Sequence, residues 1–195
     1  ETDLEKRPEL AFDRDFLRWM LSDGAGAMLL GPDRVSRNGV ALRFDWIEMI
    51  SYAHEQPACM YAGAEKMPDG RLHGWREYAS TVDAASHCAF TVKQDVRQLN
   101  EHVVKYCIER ALPEVLRRRP MKPEDIRWFL PHYSSEYFRD HCHQAIKRVG
   151  FDIPQERWFT NLAAVGNVGS ASSYLMLEEL VRKDAGEPGD LGGGR

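Results

Sequence analysis

The chain has 195 residues, 43% apolar and 29% charged, with a formal net charge of -4; this composition suits one globular domain with a real core. The negative charge argues against nucleic-acid binding, and no run of 18 apolar residues is present to span a membrane. Cys59, Cys88, Cys107 and Cys142 are widely spaced and form no CxxC pair, and no secretory leader is read, so free thiols in a reducing cytoplasm are expected rather than disulfides.

In chain order, the small apolar stretch Ala25 to Leu30 within "SDGAGAMLLGP" predicts a buried strand that turns at Gly31-Pro32. "ALRFDWIEMISYA", from Ala41, carries Phe44, Trp46, Ile47, Ile50 and Tyr52 and predicts a second strand. Residues 54–85, broken by Pro57, Gly63, Pro68, Gly70 and Gly74, read as a long irregular loop of the kind that is often functional or a lid. From Val92 to Arg118 apolar positions recur every three to five residues, which predicts a helix that Pro113 kinks or divides. "IRWFLP", from Ile126, predicts a short strand. Residues 135–149 predict a helix closed by Gly150, "RWFTNL" (157–162) a strand, and residues 169–182 a last helix. The tail 184–195, "DAGEPGDLGGGR", reads as a loose end. Strands alternating with helices indicate an α/β class with a parallel or mixed sheet, whose active sites gather at strand ends.

The stretch "WFLPHYSSEYFRDHCHQAIKRVG" concentrates His132, His141, Cys142 and His143. A helix advances about 100° per residue, so the three consecutive side chains fan over roughly 200° and cannot converge on one ion. No metal site is expected. Cys142 falls on a core stripe with Phe138, Ala145 and Val149; His141 flanks that stripe, and His143 is expected to face solvent. His132 differs, because it follows Pro131 at a strand end just before a helix, where catalytic groups tend to sit. On its residue type alone, a functional and a structural role stand about even. Asn167, in "VGNVGSASSY", reads alone as a turn or N-cap residue. At a strand end neighbouring that of His132 it becomes a candidate oxyanion donor.

Three ordered motifs carry a family resemblance: "SDGAGAMLL" from Ser22, "WFLPH" before a helix, and "GNVGSAS", whose Asn167 is 35 residues past His132 (167 minus 132). Together they resemble the C-terminal half of β-ketoacyl-acyl-carrier-protein synthase III, a condensing enzyme of the thiolase superfamily. The resemblance implies a thiolase-like fold, with helices layered on a mixed sheet. It implies an acyltransferase that condenses an acyl thioester with malonyl-acyl-carrier protein by decarboxylation, in fatty-acid or polyketide synthesis. His132 and Asn167 would hydrogen-bond the thioester carbonyl of the extender. Acyl-CoA and malonyl-acyl-carrier protein would be substrates, no cofactor would be needed, and the assembly would be a cytoplasmic homodimer. Arg139, Lys147 and Arg148 match a weak docking patch for the acidic carrier protein; Arg117 to Arg119 read as a helix end or a second such patch. The family's nucleophilic cysteine precedes the "DGAGA" motif, so the chain is expected to be part of a longer protein and inactive alone. Cys59, in "PACMYAG", lies on the wrong side of that motif. Two departures, "HYSS" for the family's HQAN and "GNVGS" for GNTS, point away from the ordinary fatty-acid initiator. A second reading from another class is a non-catalytic thiolase-fold partner subunit of a ketosynthase. Trp46, Trp75 and Trp158 read as core or interface anchors.

Overall fold

The computed structural model describes residues 15–32 and 41–184, which pack as two units. One unit includes residues 50–107 and the other residues 108–184, each joined by part of the N-terminal segment.

In the first unit, β1 (Met60–Tyr61) pairs antiparallel with β4 (Lys93–Gln94), and β2 (Ala64–Lys66) with β3 (Leu72–Gly74). The β2–β3 hairpin is set by "MPDGR": Gly70 N donates to Met67 O at 2.8 Å, Met67 N donates to Arg71 O at 2.8 Å, and Gly70 sits at φ +83°. Pro presets the turn and Gly accepts the positive φ. Residues 54–85 are therefore not the irregular loop expected. They hold this hairpin and a helix, α1 (Thr81–Ser86), whose Asp83 N donates to Ser80 Oγ at 3.1 Å. The helix α2 (Val96–Val104) starts on Asp95, which accepts from Gln98 N at 2.9 Å and pairs with Lys66 Nζ at 2.8 Å. One carboxylate thus caps a helix and ties it to the hairpin.

The helix expected over 92–118 is divided, as Pro113 implied. Six residues, Lys105–Arg110, form a π-helical turn between α2 and α3 (Ala111–Arg118). Pro113 lacks an N–H and its ring crowds the carbonyl four residues back, so the turn before it widens.

The second unit is built on α4 (Tyr137–Arg148), the short α5 (Leu162–Val165) and α6 (Ser172–Asp184). Gly150, at φ +76°, closes α4 as its sequence indicated. Phe138, Ala145, Ile146, Trp158, Met176 and Leu180 are among its buried side chains. "IRWFLP" and "RWFTNL" do run side by side, but as a single parallel bridge between Phe129 and Trp158 rather than as two strands. Helices and small sheets give an α/β content. The layered mixed sheet is not formed among the described residues. Ala25–Leu30 and the segment from Ala41 carry no ladder and no regular secondary structure. Leu29 is 97% and Met49 88% exposed, so these apolar segments lack the neighbour whose N–H and C=O groups would make them strands. The tail beyond Asp184 lies outside the described residues. Among those residues, no helix is long and apolar enough to cross a membrane.

Candidate active site

His132 is positioned by the segment before it. Phe129 N donates to Arg157 O at 2.8 Å and Phe159 N donates to Phe129 O at 2.9 Å, fixing both chains in parallel. The Arg157 guanidinium donates to the carbonyls of Ile126 and Pro123 at 2.9 and 3.2 Å, and so staples the same two segments from behind. Both chains leave the bridge at the same end: one reaches His132 three residues later, the other continues through α5 to Asn167. No hydrogen bond joins the two side chains among the described residues.

The His132 ring makes no hydrogen bond among the described residues, and partial burial lowers its pKa below the ordinary histidine value. Its neutral form, with one N–H to donate, therefore dominates at pH 7. The unfolded ring takes up a proton near pH 6.5 while the folded ring resists it, so this group's stabilisation is complete above that pH and is lost as pH falls through the lowered folded value. His132→Gln is expected to flatten the loss of stability on acidification, read by urea unfolding at a series of pH values.

Asn167 is 7% exposed. Its Oδ1 accepts from Gly169 N at 3.1 Å. An N–H can only donate to the oxygen end of the amide, so this bond sets the flip and leaves Nδ2 as the remaining donor. Among the described residues nothing accepts from that Nδ2. The backbone around it is equally constrained: Gly166 lies at φ +82°, Gly169 at φ +58°, and Ser22 N donates to Asn167 O at 2.8 Å. The "SDGAGA" segment thus docks on "GNVGS". A Cβ on Gly24 would sit 2.6 Å from Val168 Cγ1, one on Gly26 would overlap Tyr174 Cβ, and one on Gly166 would overlap Ser22 Oγ. Two motifs far apart in sequence meet here because glycine lets their backbones approach.

The histidine cluster disperses, but not as expected throughout. His141 is exposed, its Nδ1 2.9 Å from Tyr137 O. His143 does not face solvent. Its side chain is only 13% exposed and lies between Gln155 and Asp152, with Nε2 3.3 Å from Asp152 Oδ1 and the ring edge-on to Trp158. The return segment after Gly150 covers it, which no helical period could indicate. Arg139, Lys147 and Arg148 each have an acidic neighbour: Glu136 at 4.0 Å, Asp152 at 3.7 Å and Glu109 at 2.5 Å. Arg117 and Arg118 bond Glu114, and Arg118 and Arg119 bond Glu48. These cations are largely engaged within their own unit. Cys59 belongs to the first unit, where burial, then Asp95, pushes its thiol pKa up, the opposite of an activated thiolate. Trp158 is buried, whereas Trp46 and Trp75 are partly exposed.

Residues 116–192 match the family model "3-Oxoacyl-[acyl-carrier-protein (ACP)] synthase III C terminal". The family matched is synthase III, through its C-terminal region. Curated relatives agree. A β-ketoacyl-[acyl-carrier-protein] synthase III of Acaryochloris marina is 26% identical over 88% of this chain and 46% of its own length. Those of Caldanaerobacter subterraneus (26%, 88% and 46%) and Prochlorococcus marinus (27%, 88% and 45%) are similar to the same extent. The chain thus spans under half the length of the curated relatives it matches. The matched region begins within α3 and takes in both His132 and Asn167. Tyr133 and Ser22 are absent from the residues singled out in sequence. Tyr133 could have been found because it is the large polar aromatic that replaces the glutamine of HQAN, directly after His132.

Proposed function

We propose that this chain carries the decarboxylation centre of a synthase-III-type acyltransferase with a thiolase-like layered fold. The observation that carries the reading is the synthase III match over 116–192, which contains a neutral-favouring His132 and an Asn167 whose amide is fixed through Oδ1, with Nδ2 left to donate. Malonyl-acyl-carrier protein binds with its thioester carbonyl oxygen at both donors. The C–C bond to the carboxylate breaks, CO2 departs, and the electron pair passes into an enolate whose oxygen the two N–H groups hold. The enolate carbon then attacks an acyl group delivered from acyl-CoA and held as a thioester, expelling the thiolate. None of the four cysteines of this chain is assigned as that thiol. The reaction needs no prosthetic group, and the enzyme works as a cytoplasmic homodimer. The carrier protein is expected near Lys147 and Arg148, whose acidic neighbours would have to be exchanged for those of the carrier. Release of CO2 from malonyl thioester by the complete protein tests the reading. Decarboxylation that survives His132→Ala at the original rate would favour the non-catalytic partner subunit instead.

A further inference from the structure

We propose that Glu179 is the positioning residue for Asn167: bonded to Asn161, it clamps together the two helices whose connection carries the donor. This role rests on the functional reading above. Asn167 lies in the short connection from α5 to α6, and Asn161 and Glu179 stand on either side of it. Asn161 is the N-cap residue of α5, where an asparagine ordinarily bonds its own helix, but its side chain makes no such bond. Leu162 N donates instead to Thr160 Oγ1 at 3.2 Å. The Asn161 amide reaches across the connection, and its Nδ2 donates to Glu179 Oε2 at 3.0 Å. The backbone passes that hold onward. Asn161 O accepts from Ala164 N at 3.0 Å and Val165 N at 2.9 Å, Gly166 N donates to Leu162 O at 2.8 Å, and Asn167 comes next. On the far side, Ala171 N donates to Val168 O at 3.2 Å just before α6 begins.

Packing alone would favour an apolar side chain where Glu179 stands. The residue is 8% exposed, and a buried charge costs stability unless its partners offset the lost water. Burial by itself raises the pKa of this carboxyl, but the bonds from Lys183 and Asn161 outweigh it and hold the group below the ordinary glutamate value. Glu179 is therefore ionised at pH 7 and acts only as an acceptor. Lys183 Nζ lies 2.7 Å from its Oε1 and 5.1 Å from the centre of the Phe159 ring. Phe159 N in turn donates to Phe129 O, in the bridge that leads to His132. One carboxylate on α6 thus holds α5 through Asn161 and reaches the bridge through Lys183. The adjacent Glu178 is exposed and pairs with Arg182 of its own helix at 2.7 Å.

Asn161→Ala removes the clamp and leaves the Glu179–Lys183 pair in place. In the complete protein it is expected to lower kcat for malonyl-thioester decarboxylation about tenfold with KM within about twofold, because small misplacements of a donor act on rate. Asn161→Asp sets two carboxylates against each other and is slower still. Adding Glu179→Gln restores the bond with donor and acceptor exchanged, so the Asn161→Asp/Glu179→Gln protein recovers to within about threefold of the parent, the non-additivity of groups in contact. Glu178→Gln, on the same helix, keeps the parent rate within about twofold. An unchanged kcat in Asn161→Ala, no recovery in the exchanged pair, or an equal loss in Glu178→Gln overturns the clamp. Amide hydrogen exchange at Gly169, whose N–H is held by Asn167 Oδ1, supplies a readout independent of turnover. It accelerates about tenfold in Asn161→Ala while Ile146, within α4, keeps its protection, as local opening requires. Unaltered exchange at Gly169, or equal acceleration at both residues, overturns the clamp. If His132→Ala leaves decarboxylation intact, the functional reading fails, and exchange alone decides the clamp.

Discussion

Replacing His132 with alanine in the complete protein is expected, on the proposed function, to lower malonyl-thioester decarboxylation by about 10²–10³-fold while leaving the fold intact, the cost of losing one preorganised oxyanion donor. Two features separate this from a stability effect. The ring carries no hydrogen bond among the described residues and is only partly desolvated, so its removal leaves no partner unsatisfied there and unfolding free energy should change by under about 0.5 kcal/mol. Desolvation also keeps the ring neutral, so the rate in the unsubstituted protein holds its plateau to a pH below that of an ordinary histidine before protonation costs activity. Asn167→Asp is the companion test: a carboxylate cannot donate, and its charge opposes the developing enolate, so the loss is as large or larger. Equal rates for His132→Ala and the parent protein, with both folded, would end the enolate assignment.

A graded glycine series carries the second large effect. Gly31 has open space around it and no positive φ, so Gly31→Ala is expected to change stability by under about 0.5 kcal/mol. Gly150 has open space but a φ of +76°, so its alanine variant loses about 1 kcal/mol from backbone strain alone. Gly166 combines a φ of +82° with a Cβ position already filled by Ser22 Oγ. Strain and overlap together cost about 2–5 kcal/mol. The displaced backbone also carries Asn167 with it, so decarboxylation falls in the fraction that remains folded. Urea midpoints for the three variants measure the order directly; Gly166→Ala as mild as Gly150→Ala would show that Ser22 yields without cost.

The longer helices were legible because a helix is specified by its own sequence. The apolar period and Gly150 locate α4, and a single proline accounts for the π-helical turn before α3. Strands are specified by neighbours, and this is where the reading failed. Ala25–Leu30 has the composition of a buried strand but no ladder partner among the described residues, while the true hairpin lay in a stretch dismissed for its prolines and glycines. "MPDGR" was a turn signal with a mechanism, and the two residues that punctuated it were its cause. His132 and Asn167 stood out through motif and resemblance. The contacts around them did not, because Tyr133, Arg139, Gln155 and His143 meet only after the chain has folded back on itself. His143 was misplaced for the same reason.

The uncovered apolar segments have a practical meaning. Leu29, Leu30, Ile47 and Met49 are exposed on segments whose backbone carries no ladder, a combination that recruits any available strand. Preparations of residues 1–195 are expected to bind the dye ANS in the cold, to form concentration-dependent soluble aggregates, and to improve with Leu29→Lys and Ile47→Lys, which place charge on those edges. Light scattering of the double variant against the parent chain would report it. Handling of this polypeptide would then be governed less by the strength of its helices than by what its two bare edges meet first.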